Sequence, residues 1–402
     1  DPDLLNLLVD LYFRRHNVYF PLLHRPTFEQ GLRDGLHKKD QDFGELVLSV
    51  CGLGARYTND PRALADGTES KHSLGWKYFD QIFLTKDLTR VTLYRVQIIV
   101  NALTFLRPTS TPGLCWPLLG LGIRFAQIAG AHRRNFFGPN TTVTAELWKR
   151  AFWCLVCIDT HTTSFTGRPR ATNPADYDLD YPADIDDEYW LHPDPEQAFK
   201  QPSGQPSRIS FWIHFLKLMD ICGLAQRSIF AVKKPERWAS NSAWDERMVS
   251  ELHAALNTWV DTIPEHLRWD PQRADSLFFI QSAMLYSEYY QVQIQIHRGS
   301  LKHSNITYSS LAVSANAARS STAVLARLHA RGGENTYPTP TIVTLGYSAI
   351  ALLLSSWSGK QLGLVTDPIR MWRILTSVSM PLALMNPGSS YRSAFPNLSF
   401  VI

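Results

Sequence analysis

Two cysteines, Cys154 and Cys157, have the spacing that many zinc sites and redox-active disulfides use. Zinc needs four ligands, and the nearest other cysteines lie 39 residues before and 65 residues after this pair. A reactive thiol needs a helix N-terminus or a nearby cation, whereas Phe152, Trp153 and Ile158 surround these two in sequence. We therefore predict that the pair packs in the core, as buried free cysteines commonly do.

A second candidate for chemistry is a series of alternating carboxylates. Asp176, Asp178 and Asp180 stand at positions 1, 3 and 5 of a calcium-loop pattern. Position 6 is Tyr181, where the sharp turn needs glycine, and position 12 is Asp187, where calcium loops have glutamate. The pattern favours an acidic loop that pairs with basic residues and caps neighbouring helices over a calcium site.

Motifs of catalysis and nucleotide binding are incomplete in this sequence. Gly346-Tyr-Ser348 lacks the second glycine of a nucleophile elbow, and Gly52-Leu-Gly54 and Gly120-Leu-Gly122 lie in helical patterns with no preceding strand. The thirteen histidines are scattered, and three that neighbour aromatic residues are predicted to be packing residues: His161, His214 and His253. The sequence therefore predicts that the chain is not an enzyme.

Charge and composition limit the remaining classes. The chain has 402 residues, of which 45% are hydrophobic and 12% aromatic, so it can bury a large core. Residues 151–200 hold three basic and ten acidic side chains, while the whole chain has a net charge of +4. Basic doublets such as Arg133-Arg134 are isolated, which argues against a DNA-binding surface here. Five sparse cysteines favour a reducing compartment, and no apolar stretch predicts a membrane helix.

The elements that must position these residues are predicted to be helices. Apolar residues recur at steps of three and four along most of the chain, and no run alternates as a strand would. The all-α fold that this predicts has helices near residues 4–12, 41–58, 89–107, 115–132, 144–165, 208–232, 244–260, 276–298, 308–330, 340–357 and 368–385.

The helix over 144–165 has almost no polar side, so we expect other helices to cover it. Seven prolines between residues 169 and 206 exclude a helix interior there. We predict an ordered acidic loop over residues 167–190 and a linker over 191–206. The loop and linker join two helical halves, residues 1–190 and 207–402.

The stretch around this helix also carries a family pattern. Its residues are Trp148-Lys149-Arg150-Ala151-Phe152-Trp153, Asp159, Ser164, Gly167-Arg168-Pro169, Asp176, Asp178, Asp180, Pro182, Asp184 and Asp186-Asp187-Glu188. Further landmarks are Tyr19 to Phe28, Trp259 to Pro264, Tyr289-Tyr290, His297-Arg298 and Ala317 to Arg319. The pattern resembles the fungal-specific transcription factor domain, the middle homology region of fungal binuclear zinc-cluster transcription factors. Thr160 and Gly299 depart from it, since arginine and proline are usual at those positions.

The resemblance implies a regulatory region that modulates transcription by RNA polymerase II in the nucleus. It implies intramolecular contacts, contacts with co-regulator proteins, and a small-molecule effector as a further expectation. Zinc and DNA contact would belong to an N-terminal zinc-cluster domain, which we expect to lie outside this chain. The predicted site is an intramolecular brace formed by Trp148, Arg150, Phe152, Trp153, Asp159, Gly167, Arg168, Pro169, Asp186, Asp187 and Glu188. Within it, Arg168 is predicted to pair with the acidic loop. A scaffolding module of the same fold without transcriptional activity is the alternative.

Overall fold

The computed structural model describes residues 1–84, 88–109, 112–138, 141–233, 242–298, 308–332 and 339–361. These ranges contain twelve α-helices and no strand, which confirms the predicted all-α fold. None of the described helices is long and apolar enough to span a membrane. The helix predicted over residues 368–385 lies outside the described residues.

The chain divides into two compact units, residues 1–216 and 217–402. The helices in chain order are α1 (Pro2–Tyr12), α2 (Arg25–Arg33), α3 (Gln41–Gly54), α4 (Trp76–Phe79), α5 (Leu93–Leu106), α6 (Cys115–Ile128), α7 (Val143–Thr166), α8 (Ser210–Ser228), α9 (Ser242–Asp261), α10 (Ser276–Arg298), α11 (Tyr308–Gly332) and α12 (Thr339–Gln361). The acidic loop and the predicted linker both lie within the first unit. The boundaries at residues 190 and 206 stay a prediction.

Side-chain caps fix the beginnings of the core helices in the first unit. The carboxylate of Asp40 accepts from the backbone N–H of Phe43 and begins α3. Thr92 begins α5 in the same way, and the hydroxyl of Thr142 accepts from Ala145 at the start of α7. Helix α7 ends at Gly167, whose φ of +68° is a left-handed conformation that glycine adopts without strain.

Glycines allow the helices of the first unit to approach closely. A Cβ atom added at Gly122 of α6 would lie 2.9 Å from side-chain atoms of Ile99 on α5 and Leu155 on α7. At Gly54, an added Cβ would lie 2.1 Å from the backbone oxygen of Leu8 on α1. The close packing of α5 and α6 against α7 supports the predicted central position of α7, of which residues 150–161 are all buried.

In the second unit, α10, α11 and α12 pack against one another. Their apolar core consists of Phe279, Ala283, Val324, Leu325, Leu328 and Leu345. Trp269, Ile280 and Tyr290 pack against that core and are partly buried.

Two helices of the first unit, α2 and α4, were not predicted from periodicity. Helix α2 is only nine residues long, and its start is marked by Pro26, which cannot donate a backbone hydrogen bond but is well suited to a first turn. A short π-helical turn, Phe13–Asn17, precedes it. The side-chain oxygen of Asn17 accepts from the backbone N–H groups of Leu22 and Leu23, each at 3.0 Å, and fixes the segment that leads into α2.

Candidate functional site

The acidic loop folds back along α7, and Asp159 forms its first attachment. This carboxylate is completely buried. It accepts from the backbone N–H groups of Ala171 at 3.2 Å and Thr172 at 2.8 Å, and from the Thr172 hydroxyl at 2.6 Å. The Nε of Arg170 lies 3.7 Å from the same carboxylate. A buried carboxylate is stable when donors and a cation surround it, as they do here.

Trp153 forms the second attachment, nearer the start of α7. Its indole Nε1 donates to the backbone oxygen of Asp180 at 2.8 Å. Its ring stacks on Tyr181 with ring centroids 4.8 Å apart, and it meets Tyr177 edge to face at 5.8 Å. Phe152, which is fully buried, also meets the Tyr177 ring edge to face, with ring centroids 5.4 Å apart. Aromatic contacts therefore hold residues 177–181 of the loop.

Glu146, near the N-terminus of α7, forms the third attachment. The side chain is completely buried, and its Oε1 accepts from the backbone N–H of Ala183 at 2.7 Å. Its Oε2 lies 3.0 Å from Nζ of Lys149, so the buried charge has a cation beside it. The position of this glutamate in the first turn of α7 also places it at the positive end of the helix dipole.

Arg150 is the centre of the fourth attachment, which we call the Arg150 cluster: Arg150, Asp187, Trp190 and His24. The Arg150 side chain is 1% exposed, and its Nη1 lies 2.8 Å from Oδ1 of Asp187. The same nitrogen donates to the backbone oxygen of Leu23 at 3.4 Å. Its guanidinium carbon lies 4.2 Å from the centroid of the fully buried Trp190 ring. Planar stacking and ion pairing together favour arginine over lysine at this position.

His24 joins the segment before α2 to the same cluster. Its ring stacks on Trp190 with an interplanar angle of 7° and ring centroids 4.6 Å apart. Its Nε2 hydrogen bonds with the backbone oxygen of Asp187 at 2.9 Å, and its Nδ1 with the Thr27 hydroxyl at 2.6 Å. Burial lowers the pKa of His24, and the nearby Asp187 acts in the opposite direction. The backbone N–H of Arg25 also donates to Asp187, at 3.0 Å.

The end of the acidic loop pairs with the residues before α8. Oδ1 of Asp186 accepts from the backbone N–H of Arg208 at 2.8 Å, and its Oδ2 lies 3.3 Å from the Arg208 Nε. Glu188 pairs with the Arg208 Nη2, and the carboxylate of Asp184 accepts from the Ser210 hydroxyl at 2.7 Å. These contacts pair acidic residues of the loop with Arg208, as the sequence predicts, while helix capping by the loop stays a prediction.

The structure places most predicted brace residues along α7 and the loop, with two exceptions in position. Trp148 is only half-buried and takes no part in the four attachments. Arg168 lies outside the acidic cluster, because its guanidinium stacks over the ring of Trp116 on α6 at 5.3 Å. The arginines that pair with the acidic loop are instead Arg133, Arg134, Arg150 and Arg208. Pro169 is exposed and follows Gly167 at the turn.

The chemistry of the cysteines and carboxylates does not fit a metal site. The thiols of Cys154 and Cys157 are buried and form no disulfide, and burial raises the pKa of Cys154 well above its usual range. Asp178 and Asp180 are paired with Arg133 at 3.5 Å and Arg134 at 2.8 Å. In the part of the chain that the structure describes, no three His, Cys, Asp or Glu side chains are grouped to hold a metal ion.

Each of the three histidines that the sequence predicts to be packing residues contacts a neighbouring side chain or backbone atom. Nδ1 of His161 lies 2.9 Å from Nη2 of Arg107, and Nδ1 of His214 lies 2.8 Å from the backbone oxygen of Ser210. His253 meets His297 edge to face, with ring centroids 5.7 Å apart.

Sequence reasoning did not identify His24, Glu146 and Trp190 as members of the site. Glu146 carried the clearest signal, because a lone acidic residue at the start of an apolar helix must find a partner when it is buried. His24 and Trp190 are 166 positions apart in the sequence, and nothing in either local pattern indicates that their rings stack.

Comparison with known proteins places this geometry in a family. The model of the fungal specific transcription factor domain matches residues 9–261. The chain is 24% identical over 62% of its length to "Activator of stress genes protein 1" of Candida albicans, and 25% identical over 70% to "Activator of stress genes 1" of Saccharomyces cerevisiae. It is 25% identical over 74% of its length to "Transcriptional activator protein acu-15" of Neurospora crassa.

The chain spans 28%, 30% and 31% of the lengths of these three relatives, so it corresponds to one part of each. The family match covers α7, the acidic loop and every residue of the Arg150 cluster. The chain belongs to the family of the fungal specific transcription factor domain.

Proposed function

We propose that this chain is the regulatory, middle homology region of a fungal zinc-cluster transcription factor and modulates transcription by RNA polymerase II. The relatives named as transcriptional activators support this assignment. In this proposal the chain acts in the nucleus and catalyses no reaction. DNA contact and zinc belong to a zinc-cluster domain outside residues 1–402. Co-regulator proteins and other parts of the same transcription factor are its partners.

The observation that carries the mechanism is the set of four attachments between α7 and the acidic loop. Asp159, Trp153, Glu146 and Arg150 hold the loop over its length, through buried carboxylates, an indole N–H and a stacked guanidinium. Such a network keeps the loop in one conformation, since each attachment would leave a buried polar group unpaired if it opened. The proposed role of this brace is to present a fixed surface for regulatory contacts.

The Arg150 cluster adds the segment before α2 to the brace. His24 and the backbone N–H of Arg25 both contact Asp187, so the N-terminal part of the first unit depends on the loop conformation. A change at the loop would therefore reach α2 through Asp187. This coupling gives the proposed regulatory region a route between its N-terminal segment and its acidic loop.

A reporter assay in yeast tests the proposal. The chain is placed between a heterologous DNA-binding domain and a strong activation segment, and reporter output is compared with that of the fusion without the chain. The proposal expects the chain to change the output. At an equal protein level, Arg150→Lys is expected to alter the effect of the chain on reporter output. Lysine keeps the positive charge but cannot stack on the ring of Trp190 as the guanidinium does.

Arg327→Lys serves as a matched control, since Arg327 is exposed on α11 in the second unit. Equal reporter output with and without the chain would instead support the alternative, a scaffolding module without transcriptional activity. A small-molecule effector is part of the proposal as well. A thermal-shift screen of the chain with a metabolite panel tests it, and a reproducible stabilisation by one compound class is the expected result.

A further inference from the structure

Helix α6 exposes an apolar face to solvent on the side opposite its buried residues. Pro117, Leu121, Arg124 and Ile128 follow one another at steps of four, three and four residues, so they lie on one face of the helix. Ile128 is 70% exposed, and Leu114, just before the helix, is 59% exposed. Exposed apolar side chains that form a continuous stripe mark an interaction surface more often than scattered ones do.

The edge of this face has room for another helix. A Cβ atom added at Gly120 would have no neighbour within 4 Å, so the α6 backbone is open to a close approach there. Trp116, one turn earlier, is 38% exposed, and the Arg168 guanidinium covers its ring at 5.3 Å. Arg124 therefore lies within the stripe, and Arg168 lies at its edge, against Trp116.

Both arginines lack a carboxylate partner among the described residues. The Nη1 of Arg124 donates to the side-chain oxygen of Gln127 at 2.8 Å, which is a neutral acceptor on the same helix. Arg168 has the ring of Trp116 as its contact. Most arginines of the first unit do have a carboxylate partner. Arg150, Arg133 and Arg134, for example, pair with carboxylates of the acidic loop.

The sequence around α6 adds to the positive charge of this face. Residues 88–145 contain no aspartate and no glutamate, although they contain six arginines. Four of the six have carboxylate partners: Arg90 and Arg95 face Asp42, and Arg133 and Arg134 face the acidic loop. Since no acidic side chain of this segment can neutralise Arg124, a carboxylate that pairs with it must come from elsewhere.

We propose that the outer face of α6 is a docking site for an acidic amphipathic helix. The apolar side of such a helix would cover Leu114, Pro117, Leu121 and Ile128, while its carboxylates would pair with Arg124 and Arg168. The inference rests on the proposed function and deepens it by naming the chemistry of one partner segment. A second copy of the chain fits less well, because a symmetric contact through this face would bring the same two arginines together.

Binding of a designed probe to the full chain tests this proposal. The probe is a fluorescein-labelled peptide of about 18 residues, roughly five helical turns, with leucines along one face and glutamates elsewhere. Fluorescence anisotropy measures its affinity, and a matched peptide with lysines in place of the glutamates serves as its control. The chain is expected to bind the acidic peptide and to bind the basic peptide at least about tenfold more weakly.

Two kinds of variant locate the contact. Leu114→Ser with Ile128→Ser removes exposed apolar groups, and Arg124→Glu with Arg168→Glu reverses the charge. Each pair is expected to weaken binding of the acidic peptide about tenfold or more, and the charge-reversed pair is expected to bind the basic peptide instead. Leu7→Ser and Arg327→Glu are controls on other exposed surfaces, and they should leave the affinity unchanged. Thermal unfolding of each variant is also measured, and a transition like that of the wild type shows that the variant is folded.

Wild-type protein that binds neither peptide, or α6 variants that bind as wild type does, would overturn the docking site. A dimer in light scattering that Ile128→Ser converts to monomer would also overturn it, in favour of a second copy on this face. These outcomes are distinct from failure of the proposed function, because the reporter assay can show regulation when the α6 face binds no acidic helix.

Discussion

The Nη1 atom of Arg150 lies 2.8 Å from Oδ1 of Asp187, although Arg150 is in the middle of a buried helix and Asp187 is in an acidic loop. The arginine is 1% exposed, and the ring of Trp190 covers its guanidinium. The buried guanidinium is stable beside the Asp187 carboxylate, whereas alone it would be a buried charge without compensation. Separating the loop from the helix would therefore break this ion pair and leave the buried guanidinium without its counter-charge.

Arg150→Met is expected to destabilise the first unit by about 3 kcal/mol, because Asp187 would lose its buried cation and Trp190 its stacked guanidinium. Urea denaturation followed by tryptophan fluorescence measures the free energy of unfolding. Arg168→Ala is the matched control on the exposed side of the loop, and it should cost less than about 1 kcal/mol. Equal losses for the two variants would contradict a special role for Arg150.

Asp159→Asn is expected to cost about 2 kcal/mol of unfolding free energy. The amide that replaces one carboxylate oxygen can no longer accept from all of Ala171, Thr172 and the Thr172 hydroxyl, so at least one buried donor loses its partner. Asp176→Asn changes an exposed carboxylate of the same loop and should stay within about 0.5 kcal/mol of wild type. Chemical denaturation of both variants under one set of conditions gives the comparison.

Trp153→Phe is expected to loosen residues 177–181 while α7 stays folded. The phenyl ring keeps much of the packing but cannot donate to the backbone oxygen of Asp180, a loss of about 1 kcal/mol. Hydrogen exchange measured by mass spectrometry should show faster exchange in that part of the loop. Trp148→Phe, on the same helix and half-buried, should leave exchange in the loop as it is in wild type.

Two glycine substitutions should differ strongly in cost. In Gly54→Ala the new methyl group would lie 2.1 Å from the backbone oxygen of Leu8, so α1 and α3 must move apart, at a cost of about 3 kcal/mol or more. In Gly167→Ala the methyl group meets no atom within 4 Å, and only the left-handed φ of +68° opposes it, at about 1 kcal/mol. Thermal unfolding of the two variants checks the order.

The stability of the second unit should fall as the pH is lowered from about 6.5 towards 4. Burial, followed by the nearby His253, lowers the pKa of His297 from 6.5 to about 4. Between those values the unfolded chain takes up a proton that the folded state excludes, so acid favours unfolding by up to about 1.4 kcal/mol per pH unit for one such group.

Hydrogen exchange of the α10 backbone at pH values across this window, corrected for the intrinsic rate, measures that effect. His297→Asn removes the titrating ring, whose Nδ1 lies 3.3 Å from the Ser310 hydroxyl, and should reduce the pH dependence. If His297→Asn keeps the whole pH dependence of the wild type, groups other than His297 cause that dependence.

Local patterns were sufficient to predict α7 and its boundaries. The apolar run predicts a helix over 144–165, and the helix observed is Val143–Thr166, between the capping Thr142 and Gly167. Capping and periodicity are local physical effects, so a sequence contains them directly. The short helix α2 was missed because nine residues carry too little periodicity to be distinguished from a loop.

The partners of the acidic loop could not be predicted in the same way. Arg168 lies within the loop itself, yet it stacks on Trp116, and Arg150 contacts Asp187 from within the helix. A charge on an apolar helix indicates that a partner must exist, but its identity depends on how the chain folds back. His24 was missed for this reason, since its contact with Asp187 joins residues 163 positions apart.

The separations along the chain give the first unit an order of assembly during synthesis. Asp159, Trp153 and Glu146 contact loop residues 12 to 37 positions later, so α7 can gather its loop soon after both have left the ribosome. The contact of His24 with Asp187 instead needs a residue made 163 positions later. A nascent chain that stops before residue 187 therefore contains Arg150 without its counter-charge, and the segment before α2 lacks its contact with the loop until residue 187 has been made.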